Sequence, residues 1–182
     1  MTTPVELRGT RLILSAPLSS DISAVTEYCQ DPVFEHTMPL PWPYRRSDAE
    51  YLVNEHVPRG WADDTEYTWA LRRSVDGPLL GVVGSRAASG DLGYWLGAPH
   101  RGQGLMPEAV TLVADWLFGR GVERIGWECV VGNSSSLSVA RSVGFTFTGA
   151  APTGVPARDG SRPLAWHAVL TASDSRDPKP GW

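Results

Sequence analysis

Apolar positions recur at helical spacing in four segments of the chain. In the longest, Val110, Val113 and Leu117 share one face of a helix predicted from Pro107 to about Arg120. Shorter helices are predicted over residues 22–29, after an N-cap at Ser20-Asp21, over 48–57, ending at Pro58 and Gly60, and over 133–143, ending at Gly144.

Between the second and third helices the apolar pattern changes to that of strands. Strands are predicted over residues 67–72, 79–86 and 92–96, joined by tight turns that contain glycine, and these form an antiparallel meander. Further strands are predicted over 11–14, 125–131 and 164–170. The loop 38–44 alternates three prolines and is excluded from regular structure.

The strand 92–96, the helix 107–120 and the strand 124–131 form one βαβ unit, which makes its two strands parallel. The sheet is therefore predicted to be mixed and mostly antiparallel, with helices on its faces, which is an α+β three-layer fold. A chain of 182 residues predicts a single domain, here residues 1–172. Residues 173–182 are polar, contain two prolines and are predicted to be a flexible tail.

Composition narrows the function classes. A net charge of −4 argues against a general nucleic-acid binder, and no apolar run is long enough to span a membrane. The opening residues show no secretory signal pattern, and two isolated cysteines form no disulfide framework, so the cytoplasm is expected. The four histidines show no metal-ligand spacing, so we expect no metal.

The most informative segment is His100-Arg101-Gly102-Gln103-Gly104-Leu105-Met106-Pro107-Glu108, which links a strand to a helix. Glycines let the backbone approach a ligand closely, and a helix N-terminus offers free N–H groups, so this turn predicts an anion site. A dinucleotide fingerprint is excluded because Pro107 stands where its third glycine belongs. A P-loop is excluded because Leu105-Met106 replace its Lys-Ser/Thr.

The segment Arg101-x-x-Gly104-x-Met106 resembles the acyl-CoA turn of the GNAT N-acyltransferases, Arg/Gln-x-x-Gly-x-Gly/Ala, with Met106 as a departure. Leu92-Gly93-Tyr94-Trp95-Leu96 is similar to the Rim-type branch, the ribosomal-protein N-terminal acetyltransferases and their relatives. Two further segments resemble that branch in chain order: the opening Leu7-Arg8-Gly9-Thr10-Arg11-Leu12-Ile13-Leu14 and Asn133-x-x-Ser136 followed by Gly144-Phe145.

The resemblance implies a GNAT fold, acetyl-CoA as co-substrate and a splayed strand that pairs with the pantetheine amides. Its cofactor-binding residues map onto Trp95, Leu96, Gly97, Arg101, Gly102, Gln103, Gly104, Leu105, Met106, Asn133 and Ser136.

The same resemblance implies that Ser136 hydrogen-bonds the CoA sulfur and protonates the leaving thiolate, with Asn133 in support. An N-cap role for Asn133 is equally open, because Asn is a preferred cap. Asp91 matches a position that the branch fills with Glu and is the first candidate for the general base. Glu128 is the second and Glu66 the third, and water is a further alternative.

Aromatic residues of the N-terminal half are candidates for the acceptor site. Trp42, Tyr44 and Trp69, with Trp61 nearby in sequence, could bind an amine by cation–π contact, and ordinary core packing is the competing interpretation. Cys129 lies mid-strand and is expected to be a core residue rather than a nucleophile.

The leading hypothesis is an N-acyltransferase that moves an acetyl group from acetyl-CoA to a primary amine by direct attack in a ternary complex. The amine belongs to a protein or peptide N-terminus or to a small molecule, and the sequence does not choose between them. The alternative is a non-catalytic acyl-CoA-binding or sensor module. Neither nucleic acid nor membrane is expected as a partner, and dimerisation is what the resemblance implies for the assembly.

Overall fold

A computed structural model describes residues 2–182, and one mixed sheet organises them. The sheet has eight strands in the order β1-β2-β3-β4-β5-β6-β8-β7. All neighbours pair antiparallel except β5 and β6, which are parallel, as the βαβ unit predicted. The strands are β1 Leu7–Arg8, β2 Ile13–Ser15, β3 Glu66–Arg72, β4 Gly81–Arg86, β5 Leu92–Leu96, β6 Arg124–Val130, β7 Thr146–Pro152 and β8 Leu164–Thr171.

Helices cover both faces of this sheet. They are α1 Ile22–Cys29, α2 Phe34–Thr37, α3 Arg46–Tyr51, α4 Val57–Ala62, α5 Leu105–Gly119 and α6 Ser134–Val143. Helix α5, with α6 beside it, packs on one face through buried residues such as Val110 and Leu117. Helices α1 and α3 pack on the other face, around Val25, Ala49 and Trp95. This arrangement confirms the predicted three-layer α+β fold.

The predicted end of the second helix at Pro58 is wrong. A π-helical segment, Leu52–His56, follows α3 and leads directly into α4, so the helical path continues to Ala62. Pro58 lies in the first turn of α4, directly after the π-helical segment, so its missing N–H falls at the junction between two helix types. The helical path therefore passes through Pro58 and does not end there.

Strand β7 was not predicted, and the reason is its position at the sheet edge. Nearly all of its residues are exposed, and its register with β8 shifts between Phe147 and Gly149. An exposed edge strand with a bulge shows no apolar alternation in its sequence.

The C-terminal segment 173–182 lies against α6 and β7. The Lys179 N–H donates to the Arg141 carbonyl at 2.9 Å, and Arg141 Nε donates to the Lys179 carbonyl at 3.1 Å. Trp182 stacks on Phe147 with ring centroids 5.1 Å apart and meets Trp127 edge-on at 5.8 Å.

A buried ion pair connects the first helix to the sheet. The guanidinium of Arg72 faces the carboxylate of Asp21 in a two-point contact, and their side chains are only 3% and 5% exposed. Arg72 also donates to Ser15 Oγ at 3.0 Å and to the Gly77 carbonyl at 3.0 Å. These contacts fix the start of α1 against β3.

We predict that Asp21→Asn lowers the free energy of unfolding by about 3 kcal/mol, because it leaves the Arg72 charge buried without its partner. Urea denaturation followed by far-UV circular dichroism measures the change. The control is Glu50→Gln, which breaks the exposed Arg46–Glu50 pair at 3.0 Å and should cost no more than about 0.5 kcal/mol. Equal unfolding midpoints for the two variants would contradict the prediction.

Candidate active site

The glycine turn after β5 has the backbone geometry of an anion site. Gly102 and Gly104 have φ of 72° and 69°, in the left-handed region that glycine adopts at little cost. Gly104 is also the N-cap of α5. Within residues 2–182, the backbone N–H groups of residues 103–106 donate to no protein acceptor. They lie at the positive end of a 15-residue helix.

Most of the predicted cofactor residues line one cavity of about 1800 Å³. The predicted cofactor residues that line this cavity are Trp95, Leu96, Arg101, Gly102, Gly104, Leu105, Met106, Asn133 and Ser136.

Two predicted cofactor residues, Gly97 and Gln103, are not among the residues that line the cavity. At Gly97 a Cβ would lie 2.6 Å from the Tyr28 ring, so this glycine serves packing. The Gln103 side chain donates to the Pro99 carbonyl at 3.1 Å and accepts from Arg73 at 2.6 Å. Its backbone N–H belongs to the free amides of the turn.

Met106, the departure from the family pattern, does not obstruct the turn. Its side chain is 3% exposed and belongs to the hydrophobic core beneath α5, as does that of Leu105. The large side chain therefore packs into the core, and within the described part of the chain the Met106 N–H has no protein acceptor.

Arg101 is anchored beside the cavity by three contacts. It pairs with Asp31 at 2.8 Å, donates to the Leu96 carbonyl at 3.1 Å and lies over the Phe34 ring at 5.3 Å. Hydrogen bonds from the Val33 backbone and from Arg101 keep the pKa of Asp31 below its usual value. Arg101 therefore adds positive charge at a defined position.

Strands β5 and β6 pair at a single point, Leu92 with Trp127, and separate beyond it. Two hydrogen bonds show which backbone groups of β5 point towards β4. The Arg86 N–H donates to the Asp91 carbonyl, and the Gly97 N–H donates to the Leu80 carbonyl. Because backbone groups alternate along an antiparallel strand, those of Tyr94 and Leu96 point towards β6. There they have no strand partner, which is the splay that the resemblance implied.

The Tyr94 hydroxyl lies in this gap and connects both strands to α6. It accepts from Trp127 Nε1 at 2.8 Å and from Ser136 Oγ at 3.1 Å, and it donates to the Ser136 carbonyl at 3.2 Å. Asn133 caps α6 by accepting from Ser136 N–H at 3.2 Å. Both residues also line the cavity, so the capping role and the cofactor role of Asn133 are compatible. Sequence reasoning did not identify the Tyr94 hydroxyl, because its partners are remote in the chain.

The opposite side of the cavity has a floor of glycines. Gly84, Gly93 and Gly126 lie on neighbouring strands on the face that carries α1, and a Cβ at Gly93 would meet nothing within 4 Å. At Gly126 a Cβ would lie 2.0 Å from Asp91 Oδ1, so the Asp91 carboxylate lies directly over β6. Asp91 thus reaches the cavity because residue 126 has no side chain.

The other two carboxylates also line the cavity but have protein partners. Glu128 accepts from Gly154 N–H at 2.8 Å and from Val155 N–H at 3.4 Å, and lies 3.6 Å from His167. Glu66 lies 3.3 Å from His56. Asp91 accepts no hydrogen bond at its side chain within the described residues.

The aromatic residues predicted for the acceptor site lie elsewhere. Trp69 is 0% exposed and packs with Trp61, Tyr67 and Trp116, donating from Nε1 to the Val5 carbonyl at 2.8 Å. Tyr44 is 4% exposed, and Trp42 does not line the cavity. Core packing accounts for Trp69 and Tyr44. The aromatic residues that line the cavity are instead Phe34, Tyr94, Trp95 and Trp127.

The loop 153–163 lines the cavity on the side of the glycine floor. Arg158 in this loop donates to the backbone carbonyls of Leu40 and Glu35, which tie it to the segment after α2. The sequence pointed to the second of these segments through Trp42 and Tyr44, whereas Met38, Pro39 and Leu40 are its residues that line the cavity. The loop 153–163 was not assigned to the site, because a pocket formed by two remote loops has no signature in a single sequence.

Two kinds of feature are not found among residues 2–182. No helix there is both long and apolar enough to cross a membrane. No cluster of three or more His, Cys, Asp or Glu side chains there is arranged to bind a metal ion.

Comparison with solved structures shows the same fold in several acetyltransferases. A protein described as a ribosomal-protein-serine acetyltransferase from Vibrio cholerae aligns with a TM-score of 0.79 and 19% identity, covering 94% of this chain and 99% of its own. RimL, a ribosomal α-N-protein acetyltransferase in complex with coenzyme A, aligns at 0.78 and 19%, covering 92% and 98%. The microcin C7 self-immunity acetyltransferase MccE, in complex with acetyl-CoA and AMP, aligns at 0.77 and 19%, covering 90% and 93%.

A family model described as an acetyltransferase (GNAT) domain matches residues 11–146, about three quarters of the chain. This range contains the turn, the splayed strands and Ser136. The predicted resemblance is thereby confirmed, and the chain belongs to the GNAT acetyltransferase family.

Proposed function

We propose that this acetyl-CoA-dependent N-acetyltransferase acetylates a primary amine by direct attack on the thioester, with the amine bound on the glycine floor. The observation that carries the proposal is the coincidence of free turn amides, separated strands and Ser136 around one cavity. The alternative, a non-catalytic acyl-CoA-binding module, needs the turn but has no use for Ser136 or Asp91.

The cofactor would extend along the gap between β5 and β6. The amides of residues 103–106 suit a diphosphate, because N–H groups at a helix N-terminus favour anions. The backbone groups of Tyr94 and the N–H of Leu96 are available to pair with the pantetheine amides, while the Leu96 carbonyl accepts from Arg101. The thioester end would then lie near Ser136, between the two halves of the cavity.

In the proposed reaction the amine nitrogen forms a bond to the thioester carbonyl carbon, and the carbon–sulfur bond breaks. Ser136 gives its hydroxyl proton to the departing sulfur, which leaves as a thiol, and water returns a proton to Ser136. In this structure the Ser136 hydroxyl donates to the Tyr94 hydroxyl at 3.1 Å, and in the reaction this proton turns to the sulfur. Tyr94 keeps Ser136 in place by donating to the Ser136 carbonyl at 3.2 Å. The proton lost by the amine passes to Asp91, directly or through water, because Asp91 is the carboxylate on the floor without a protein donor.

The charges that line the cavity do not single out one class of acceptor. Five carboxylates (Glu35, Glu66, Asp91, Glu128 and Asp159) and four arginines (Arg86, Arg101, Arg124 and Arg158) line the cavity, so it does not select for polycations. The named neighbours include an enzyme for a ribosomal protein and one bound to AMP with acetyl-CoA. We therefore include both peptide N-termini and small amines as candidate acceptors.

The direct test is thiol release from acetyl-CoA over a panel of amines: short peptides with free N-termini, matched peptides with blocked N-termini, and small primary amines. Turnover that requires a free amine supports the proposal. Cofactor binding by calorimetry without turnover on any amine would favour the sensor module, and absence of cofactor binding would reject both.

We predict that Ser136→Ala lowers kcat by about 100-fold, the scale of a lost proton donor, and leaves the Kd for CoA nearly unchanged. Steady-state kinetics and calorimetry on the same preparation measure the two quantities. Ser138→Ala, on the same helix, is the control and should retain kcat. An unchanged kcat in Ser136→Ala would remove Ser136 from the chemistry.

Asp91 and Glu128 should respond differently to loss of charge. We expect Asp91→Asn to lower kcat by about 100-fold, because the amine loses its proton acceptor. We expect Glu128→Gln mainly to raise the KM for the amine, because Glu128 accepts from the loop that covers the acceptor side. The reverse pattern in the two kinetic constants would make Glu128 the base.

Direct attack also requires that Cys129 does not carry the acetyl group. Burial raises the pKa of its thiol to about 12, from an ordinary value of 9.0. A thiolate is the reactive form, so at pH 8 we expect disulfide-reagent labelling of native Cys129 about a thousandfold slower than in the protein unfolded by guanidinium. Rapid native labelling, or an acetylated Cys129 in mass spectra, would contradict direct transfer.

Three expectations about context stay predictions. The two cysteines in the described chain are unpaired, which is consistent with a reducing cytoplasm. A homodimer and the lack of nucleic-acid and membrane partners are carried forward from the sequence. Size-exclusion chromatography with light scattering measures the assembly.

A further inference from the structure

A clasp made by Arg11 and Glu108 lies behind the glycine turn. Arg11 donates from Nη1 to the Gln103 carbonyl at 2.9 Å and from Nη2 to the Gly104 carbonyl at 2.7 Å. Its Nε donates to Glu108 Oε2 at 2.8 Å, and its backbone N–H donates to Glu108 Oε1 at 2.7 Å. One side chain from the β1–β2 hairpin thus connects two successive carbonyls of the turn to α5.

These contacts determine where the turn amides point. In a trans peptide the C=O and the N–H of the same plane point in opposite directions. Because Arg11 binds the carbonyls of residues 103 and 104, the N–H groups of Gly104 and Leu105 are directed away from Arg11. Both of these residues line the cavity on that other side.

Glu108 is the fixed end of the clasp. Burial opposes its ionisation, but hydrogen bonds and charge from Arg11 keep the pKa of Glu108 below its usual value. Its side chain is 16% exposed, against 46% for Arg11. Gly9 makes room for the contact, because a Cβ there would lie 2.5 Å from Glu108 Oε1. The hairpin can therefore close against the helix.

We infer that Arg11 and Glu108 are positioning residues that preorganise the turn amides for the cofactor diphosphate. The inference rests on the proposed function of the turn. Arg11 touches the carbonyl side of the turn, so it acts on the diphosphate through the peptide planes. The two residues come from segments almost a hundred positions apart, so no local motif reveals them.

The first experiment compares two acetyl donors, acetyl-CoA and S-acetylpantetheine, the second of which has no diphosphate. We expect Arg11→Ala to raise the KM for acetyl-CoA and the Kd for CoA at least about tenfold, the scale of a lost charged hydrogen bond. With S-acetylpantetheine, kcat/KM should change less than about twofold, and kcat at saturating acetyl-CoA should change little. A merely structural role would lower activity with both donors equally, and that result would overturn the inference.

The second experiment separates positioning from charge. Glu108→Gln removes a negative charge near the site, so an electrostatic effect alone would strengthen binding of the anionic CoA. Positioning predicts the opposite, a weaker CoA complex, because Arg11 loses its fixed partner. Tighter binding by Glu108→Gln would overturn the inference.

Arg11→Lys retains the charge but cannot donate to both carbonyls and Glu108 together. We expect the Kd of this variant for CoA to stay well above that of the wild type, and full wild-type affinity would overturn the inference. Lys and Gln variants also provide the test if Arg11→Ala does not fold. Arg8→Ala, which breaks the exposed Arg8–Glu6 pair on the same hairpin, is the control and should match the wild type. If the wild type binds no CoA, the proposed function itself is refuted. If the wild type binds CoA and Arg11→Ala binds it equally well, only this inference is refuted.

Discussion

The separation of β5 from β6 is the constraint from which the site follows. Two parallel strands that meet only at Leu92 and Trp127 leave backbone groups of Tyr94 and Leu96 without strand partners. Unpaired backbone groups are costly unless water or a ligand satisfies them. The fold tolerates the gap because α5 packs on one face of the sheet, with Trp127 and Tyr94 in the same core, and keeps the two strands in place. Tyr94 spans the gap on that face through Trp127 and Ser136.

Electrostatic features converge on the turn at the end of this gap. Free amides and the helix N-terminus are positive, and two of the nearby arginines are fixed by carboxylates: Arg101 by Asp31 and Arg11 by Glu108. A paired arginine contributes less net charge than a free one, but its direction is defined. The arrangement therefore gives an anion site of defined orientation and not a strong attraction for every anion.

The opposite half of the cavity follows a different logic. Glycines on three neighbouring strands keep its floor open, and Gly126 in particular leaves the space that the Asp91 carboxylate occupies. Two connecting segments, the loop 153–163 and the segment after α2, meet above this floor through Arg158. Glu128 fixes the start of that loop by accepting two of its amides. The half of the cavity over the glycine floor is therefore shaped by loops, and the half at the glycine turn by the sheet and α5.

The sequence by itself determined the elements with strong periodicity, among them β5 and α5, and the mixed sheet that one βαβ unit requires. It also identified the glycine turn and Ser136, because short motifs carry their own local geometry. Only the tertiary structure decided which aromatic residues line the cavity: Trp69 and Tyr44 are in the core, while Phe34 and Trp95 reach the site. It also brought Arg11 to Glu108 and Tyr94 to Ser136, and it showed β7 as an exposed edge. The physical reason is that periodicity and capping act over a few residues, whereas burial and side-chain pairing depend on contacts between segments that are distant in the chain.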